Sequence, residues 1–171
     1  MGVEPLSEVP MDYRFTGVPY AEEPWHEIIP GLFMGGHFRD GLSEGLLPVV
    51  VADEFDVVVS MIRLDGHGPS GSIPHHVCHV PDGRLTSVEV GTVVTMAGFA
   101  AEAIRSDLRV LVRCRAGYNR SGLVVAQTLL LLGYALDDAI DLIRSRRSLF
   151  ALHNSHFVEY LTTGLAQIRD E

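Results

Sequence analysis

The stretch that most constrains this chain runs through residues 109–122, RVLVRCRAGYNRSG, and continues into the apolar run 123–132. RVLVR reads as a buried strand, residues 114–119 as a tight connection, and the apolar run as a helix that Gly133 ends. A strand feeding a helix through so short a loop points to an α/β fold, in which the helix packs back over the sheet. The rest of the chain agrees. Residues 27–35 (EIIPGLFMG) read as a strand pair or a bend broken at Pro30–Gly31, and residues 56–62 and 75–80 as short strands. Thr86, three places before Glu89, forms a capping box and starts a helix over 87–105. Val90, Val93, Val94, Ala97, Ala101 and Ile104 then recur at helical spacing. A third helix is expected over about 136–147 and a fourth after Asn154, a good N-cap residue. The expected architecture is a central mixed, largely parallel sheet flanked by helices and covered on both faces. Residues 25–171 form a single domain, and residues 1–24, with four prolines, a loose acidic arm.

Composition narrows the ligand. The chain of 171 residues carries 22 acids against 13 bases, all of them Arg, for a net charge of −9. That balance argues against general binding to nucleic acid or anionic membrane. Its distribution is uneven. Residues 1–59 hold eleven acids and two Arg, whereas residues 105–147 hold eight Arg and four Asp. An anionic ligand favours the second region. The two cysteines, Cys78 and Cys114, make no disulfide framework. The N-terminus lacks the apolar segment of a signal peptide, and Leu6 breaks the myristoylation pattern. The expectation is a reduced, cytoplasmic protein.

The loop itself carries chemistry. A short turn from a strand into a helix N-terminus points successive backbone N–H groups at one spot and makes an anion nest, to which the helix dipole adds positive potential. Arg120 can clamp two oxygens of a phosphate with its planar guanidinium. Residues Arg115, Ala116, Gly117, Tyr118 and Asn119 offer their backbone to the same anion. Cys114 lies at the bottom of the cradle, where the dipole and nearby Arg favour the thiolate, a nucleophile toward a bound phosphorus.

Residues 114–121 closely resemble the signature loop of the cysteine-based protein tyrosine phosphatases, C-x5-R followed by Ser or Thr. Within that superfamily the short chain resembles the dual-specificity phosphatases. The family's general acid is an Asp on a loop roughly thirty residues before the nucleophile. Here Val80-Pro81-Asp82-Gly83 offers Asp82, 32 positions before Cys114. The tail, with Arg146 or Arg147, Asn154 and Phe157, is similar to the family's closing helices. The resemblance covers roughly residues 27–165. It implies that Cys114 attacks phosphorus, Asp82 protonates the leaving oxygen and later activates water, Arg120 and the N–H groups of 115–120 hold the equatorial oxygens, and Ser121 donates to the sulfur. It implies no metal and no cofactor, and as partner a phosphorylated protein. It also implies a shallow, dual-specificity pocket, the chain being too short for the inserts that deepen a tyrosine-only one. One position departs from the family, which has His before the nucleophile; this chain has Arg113.

Other readings compete. An RNA 5′-triphosphatase shares the Gly-x-Asn-Arg-Ser run of Gly117 to Ser121 but lacks the carboxylic acid. A phosphoinositide phosphatase tends to carry several basic residues within the loop, where this chain has Arg115. Against a catalytically dead phosphate-binding module stand the retained Cys114, Asp82 and Arg120, while Arg113 keeps that reading open. The order of acid before loop excludes the low-molecular-weight phosphatases, and the Arg-Ser pair argues against rhodanese-type sulfurtransferases. His75, His76, Cys78 and His79 suggest a metal cluster, yet on a strand they face two ways, which favours a structural strand. A protective Cys78–Cys114 disulfide would need a close approach of the two Cα atoms. Arg144, Arg146 and Arg147 read most simply as a solvated helix end matched to the dipole, with lining of the substrate approach as the alternative.

Overall fold

The computed structural model describes residues 18–165. Strands β1 (Trp25–Ile29) and β2 (Leu32–Gly36) form an antiparallel hairpin that turns at Pro30–Gly31. A three-residue pair follows, β3 (Phe38–Asp40) against β4 (Leu46–Pro48). Then come β5 (Val57–Ser60), β6 (His75–Val77), α1 (Ser87–Arg105), β7 (Val110–Cys114), α2 (Arg120–Leu131), α3 (Leu136–Arg146) and α4 (Ser155–Thr163). The main sheet has the order β1-β2-β7-β5-β6. Only the β1–β2 pairing is antiparallel, so the sheet is mixed and largely parallel, as the alternation of strands and helices requires.

The helix ends follow local chemistry. Thr86 Oγ1 accepts the Glu89 N–H at 3.2 Å while Glu89 Oε2 accepts the Thr86 N–H at 2.8 Å, the reciprocal capping box. Asn154 Oδ1 caps α4 through the His156 N–H at 3.0 Å. By length and hydropathy α1 matches a membrane span, but its Val90, Val93, Ala97, Ala100 and Ala101 are buried in the core.

Strand residues alternate between two layers. Leu32, Met34, Val57, Val59, Val110 and Val112 join the buried residues of all four helices. Phe33, Val58 and Leu111 turn to the opposite face, where Val51, Phe55, Trp25 and Ile73 cover them. Helices therefore flank one face, and the second is closed by the connections around β5, which carry no helix among the described residues. The sheet is thus flanked by helices and covered on both faces, as expected.

Residues 18–24, read from the sequence as part of the arm, are held by the domain. Backbone carbonyls of residues 19–24 are acceptors for the domain: Pro19 O takes the Tyr118 hydroxyl at 2.6 Å, Ala21 O the Asp40 N–H at 2.8 Å, Glu23 O an Arg147 N–H at 3.1 Å and Pro24 O the Gly36 N–H at 3.3 Å. Residues 18–24 thus pack as a strap along the body. Residues 1–17 of the expected arm lie outside the described residues.

Candidate active site

Cys114 ends the central strand β7 with its side chain in the same layer as Val110 and Val112, buried below the start of α2. Each carbonyl from Cys114 to Asn119 is tied back to the protein. Cys114 O and Arg115 O both accept the His37 N–H, Ala116 O and Gly117 O accept Arg147, Tyr118 O accepts the Leu152 N–H and Asn119 O the Leu123 N–H. A trans peptide holds the next N–H opposite its carbonyl, so this outward set turns the N–H groups of residues 115–120 toward the cleft. The anion nest expected from the sequence follows from that geometry.

Two glycine positions make the close fit possible. Gly117 has φ +78°, and a Cβ there would lie 2.5 Å from Gly35 backbone and from Arg147 Nη2. At Gly36 a Cβ would lie 2.9 Å from Ala116 C and Arg115 O. The loop rests on the bare end of β2, a role for Gly35–Gly36 that the sequence reading missed although the paired glycines signal it.

The remaining site residues converge here. Ser121 Oγ is 3.3 Å from Cys114 Sγ. Arg120 donates from Nη1 to Val80 O at 3.3 Å, at the root of the loop that carries Asp82. Asp82 accepts at both oxygens, from Asn119 Nδ2 at 3.0 Å and Asn154 Nδ2 at 2.7 Å. Cys114, Asp82, Arg115, Ala116, Tyr118, Asn119 and Arg120 all line one cleft of about 450 Å³. His153, His156 and, from the strap, Val18 and Tyr20 complete its wall. The Arg115 guanidinium stacks 4.6 Å above the Phe38 ring.

Arg147 departs most from its sequence reading as part of a solvated helix end. It is buried rather than solvated. Nε and Nη2 donate to Gly117 O and Ala116 O at 3.1 and 3.2 Å, and Nη1 reaches Glu23 O and His26 Nδ1 at 3.1 and 3.0 Å. Burial pulls its pKa down to about 10, so it stays charged at neutral pH. Burial and this cation together lower the His26 pKa, which suits its role as a neutral acceptor. Arg144 likewise donates to Ala151 O and Leu152 O at 3.1 and 3.2 Å. Only Arg146 of the three is exposed.

Arg113 alternates to the face opposite Cys114. Its guanidinium is buried and donates to Ser60 Oγ, His67 O and Gly68 O at 2.9, 3.0 and 2.7 Å. None of these acceptors is a carboxylate. Burial first and Arg113 second lower the His37 and His75 pKa values, to about 3 and about 4. The cation thus sits among neutral rings, away from the thiol.

The other sequence candidates separate. His75 Nε2 pairs with Ser60 Oγ at 2.8 Å, His76 stacks on Phe99 at 3.8 Å, and Cys78 Sγ lies 3.7 Å from Met61 Sδ. Among the described residues no three metal-ligating side chains come together. Burial pushes the Cys78 thiol up to about 11. The Cys78–Cys114 disulfide does not fit. Ser60 pairs with Val77 on one side and Arg113 on the other, so β5 lies between the two cysteines. Two strand spacings, roughly 9–10 Å, separate them, beyond the ~7 Å limit for a bridge.

No protein-family model matches the chain, and no curated protein matches it in sequence. Solved structures do match. Human DUSP28 shares 18% identity with a TM-score of 0.65, over 85% of this chain and 95% of its own. Tk-PTP in its active form shares 19% identity with a TM-score of 0.62, over 85% and 98%. OH1 from the Orf virus, described as a tyrosine phosphatase with triple substrate specificity, shares 14% identity with a TM-score of 0.55, over 82% and 86%. The likeness is one of fold: the chain has the architecture of the dual-specificity and tyrosine phosphatases.

Proposed function

We propose that this chain is a cysteine-dependent phosphatase that hydrolyses phosphotyrosine monoesters of protein substrates, with phosphoserine and phosphothreonine as further substrates. The observation that carries this reading is the convergence, in one cleft, of Cys114, Arg120 and Asp82, with Ser121 Oγ 3.3 Å from the sulfur. The Cys114 thiolate attacks phosphorus and the leaving oxygen takes the proton of Asp82. General acids of this kind contribute ~10²–10⁴-fold. Water then attacks the phosphocysteine, its proton passes to the Asp82 carboxylate, and the thiolate departs with a hydrogen bond from Ser121. Arg120 and the inward N–H groups offset the charge that builds on the phosphoryl oxygens.

The departure at position 113 does not count against this reading, because the Arg113 side chain serves the opposite face of the sheet. The test is hydrolysis of an aryl phosphate across pH 5–8 with chelator present. The expected result is a bell-shaped profile for the wild type, no turnover for Cys114→Ser, and a flattened high-pH limb for Asp82→Asn. A wild type that binds vanadate but turns over nothing would identify a phosphate-binding module instead.

A further inference from the structure

Asn119 occupies the N-cap position of α2 and does not cap it. Its backbone is helical (φ −96°, ψ −65°), and no side-chain bond to the first turn forms. Asn is among the best N-cap residues, so a diverted side chain is informative. The side chain is buried and its three polar roles are filled elsewhere. Nδ2 donates to Asp82 Oδ2 at 3.0 Å and to His153 Nε2 at 3.1 Å, while Oδ1 accepts the Asn154 N–H at 2.9 Å. His153 Nδ1 faces the Phe150 carbonyl at 2.8 Å and must carry the proton there, so Nε2 is an acceptor for the amide. Asn119 therefore joins three separate pieces of chain: the phosphate loop, the loop of Asp82, and the turn that leads into α4.

Asp82 needs such a tether. The residue is exposed, and its carboxylate is held by the side-chain amides of Asn119 and Asn154. Each carboxyl oxygen has two lone pairs, so the amides can hold it while one further site carries the proton for the leaving group.

We propose that Asn119 is a positioning residue that aims the Asp82 carboxyl at the leaving oxygen above Cys114. The proposal rests on the phosphatase reading and adds to it a division of labour within the loop. Backbone N–H groups and Arg120 hold the phosphoryl group, and the Asn119 side chain holds the acid. Asn119 moves no proton itself; the proton still passes from Asp82 to the leaving oxygen as the P–O bond breaks and the S–P bond forms. Its contribution therefore scales with how much the leaving group needs protonation.

The experiment compares kcat/KM for a series of aryl phosphates whose phenols range from acidic to weakly acidic. The variants are Asn119→Ser, Asp82→Asn and the double variant, with vanadate affinity measured in parallel. Serine is itself a favoured N-cap residue, so the helix start survives the change. The expected result for Asn119→Ser is a loss of about tenfold or more with the poorest leaving groups, fading toward none with the most acidic phenols. Vanadate affinity stays unchanged, and the double variant is no slower than Asp82→Asn. A uniform loss across the series, a parallel loss of vanadate affinity, or additive losses in the double variant would overturn the proposal while leaving the phosphatase reading intact. Absence of turnover by the wild type would overturn the reading and the proposal with it.

Discussion

At the scale of single residues, two arginines illustrate what a sequence hides. Arg113 stands where its neighbours in the strand alternate faces, so its placement opposite Cys114 follows from β7 being a strand. Its partners do not follow, because Ser60, His67 and Gly68 lie about fifty positions away. Replacing Arg113 with Met leaves two carbonyls and one hydroxyl without their donor in a buried layer. The expected cost is about 2–4 kcal/mol in urea unfolding. Vanadate affinity should persist, since the guanidinium is on the far face. A variant as stable as the wild type would show that Arg113 is not a fastener. Arg147 is the harder case. Basic residues in a last helical turn are usually solvated, and the local pattern says nothing else. Its burial depends on carbonyls of Ala116, Gly117 and Glu23, brought together only by the complete fold. Cys114, Arg120, Ser121 and Asp82 were singled out by the resemblance of their spacing to a family motif, and the structure brings them together around one cleft. Asn119 was legible only as a backbone contributor, its side-chain partners being 34 to 37 positions away.

At the scale of elements, legibility tracks locality. Helix α1 begins and ends where the capping box and apolar spacing predict, because both signals lie within the helix. The β3–β4 pair escaped notice: three residues each, with little alternation, they are strands only because they pair with each other. The layer closed by connections rather than helices has a consequence of its own. It buries His37, which donates from Nε2 to Ile62 O at 2.9 Å and whose pKa falls to about 3. The unfolded chain has an ordinary His with a pKa near ~6.5. Between those values the unfolded state binds a proton that the folded state refuses, so stability rises with pH across the window and falls on acidification. His37 alone contributes up to ~1.4 kcal/mol per pH unit below pH 6. His75, lowered to about 4, acts in the same direction. Urea midpoints at pH 7 and pH 5 should therefore differ, with the protein weaker at pH 5. His37→Gln offers Ile62 an N–H without titrating, and should shrink that difference. An unchanged difference would assign the acid sensitivity to other groups.

At the scale of the whole molecule, the strap formed by residues 18–24 decides where the domain begins. Composition marks these residues as arm, since prolines and acids carry no periodic apolar signal. The structure holds them largely through their backbone carbonyls, and no residue pattern reports that in advance. Through Tyr118 and Arg147 the strap reaches the loop of residues 114–119: Tyr118 donates to Pro19 O and Arg147 bridges Glu23 O to Gly117 O and Ala116 O. Val18 and Tyr20 also stand in the cleft wall. A chain that starts at residue 18 keeps all of these contacts, whereas one that starts at residue 25 strips Arg147 of one acceptor and Tyr118 of its own. Loss of two such buried bonds costs about 2–4 kcal/mol, a fall in Tm of roughly 4–16 °C for a domain of this size. The loop carbonyls held by Arg147 should loosen with it, so vanadate affinity should fall alongside Tm. If the shorter chain melts and binds vanadate like the longer one, the strap is an appendage and the domain begins at Trp25. If both measures fall together, the segment that looked least structured in the sequence is part of what holds the anion cradle in shape.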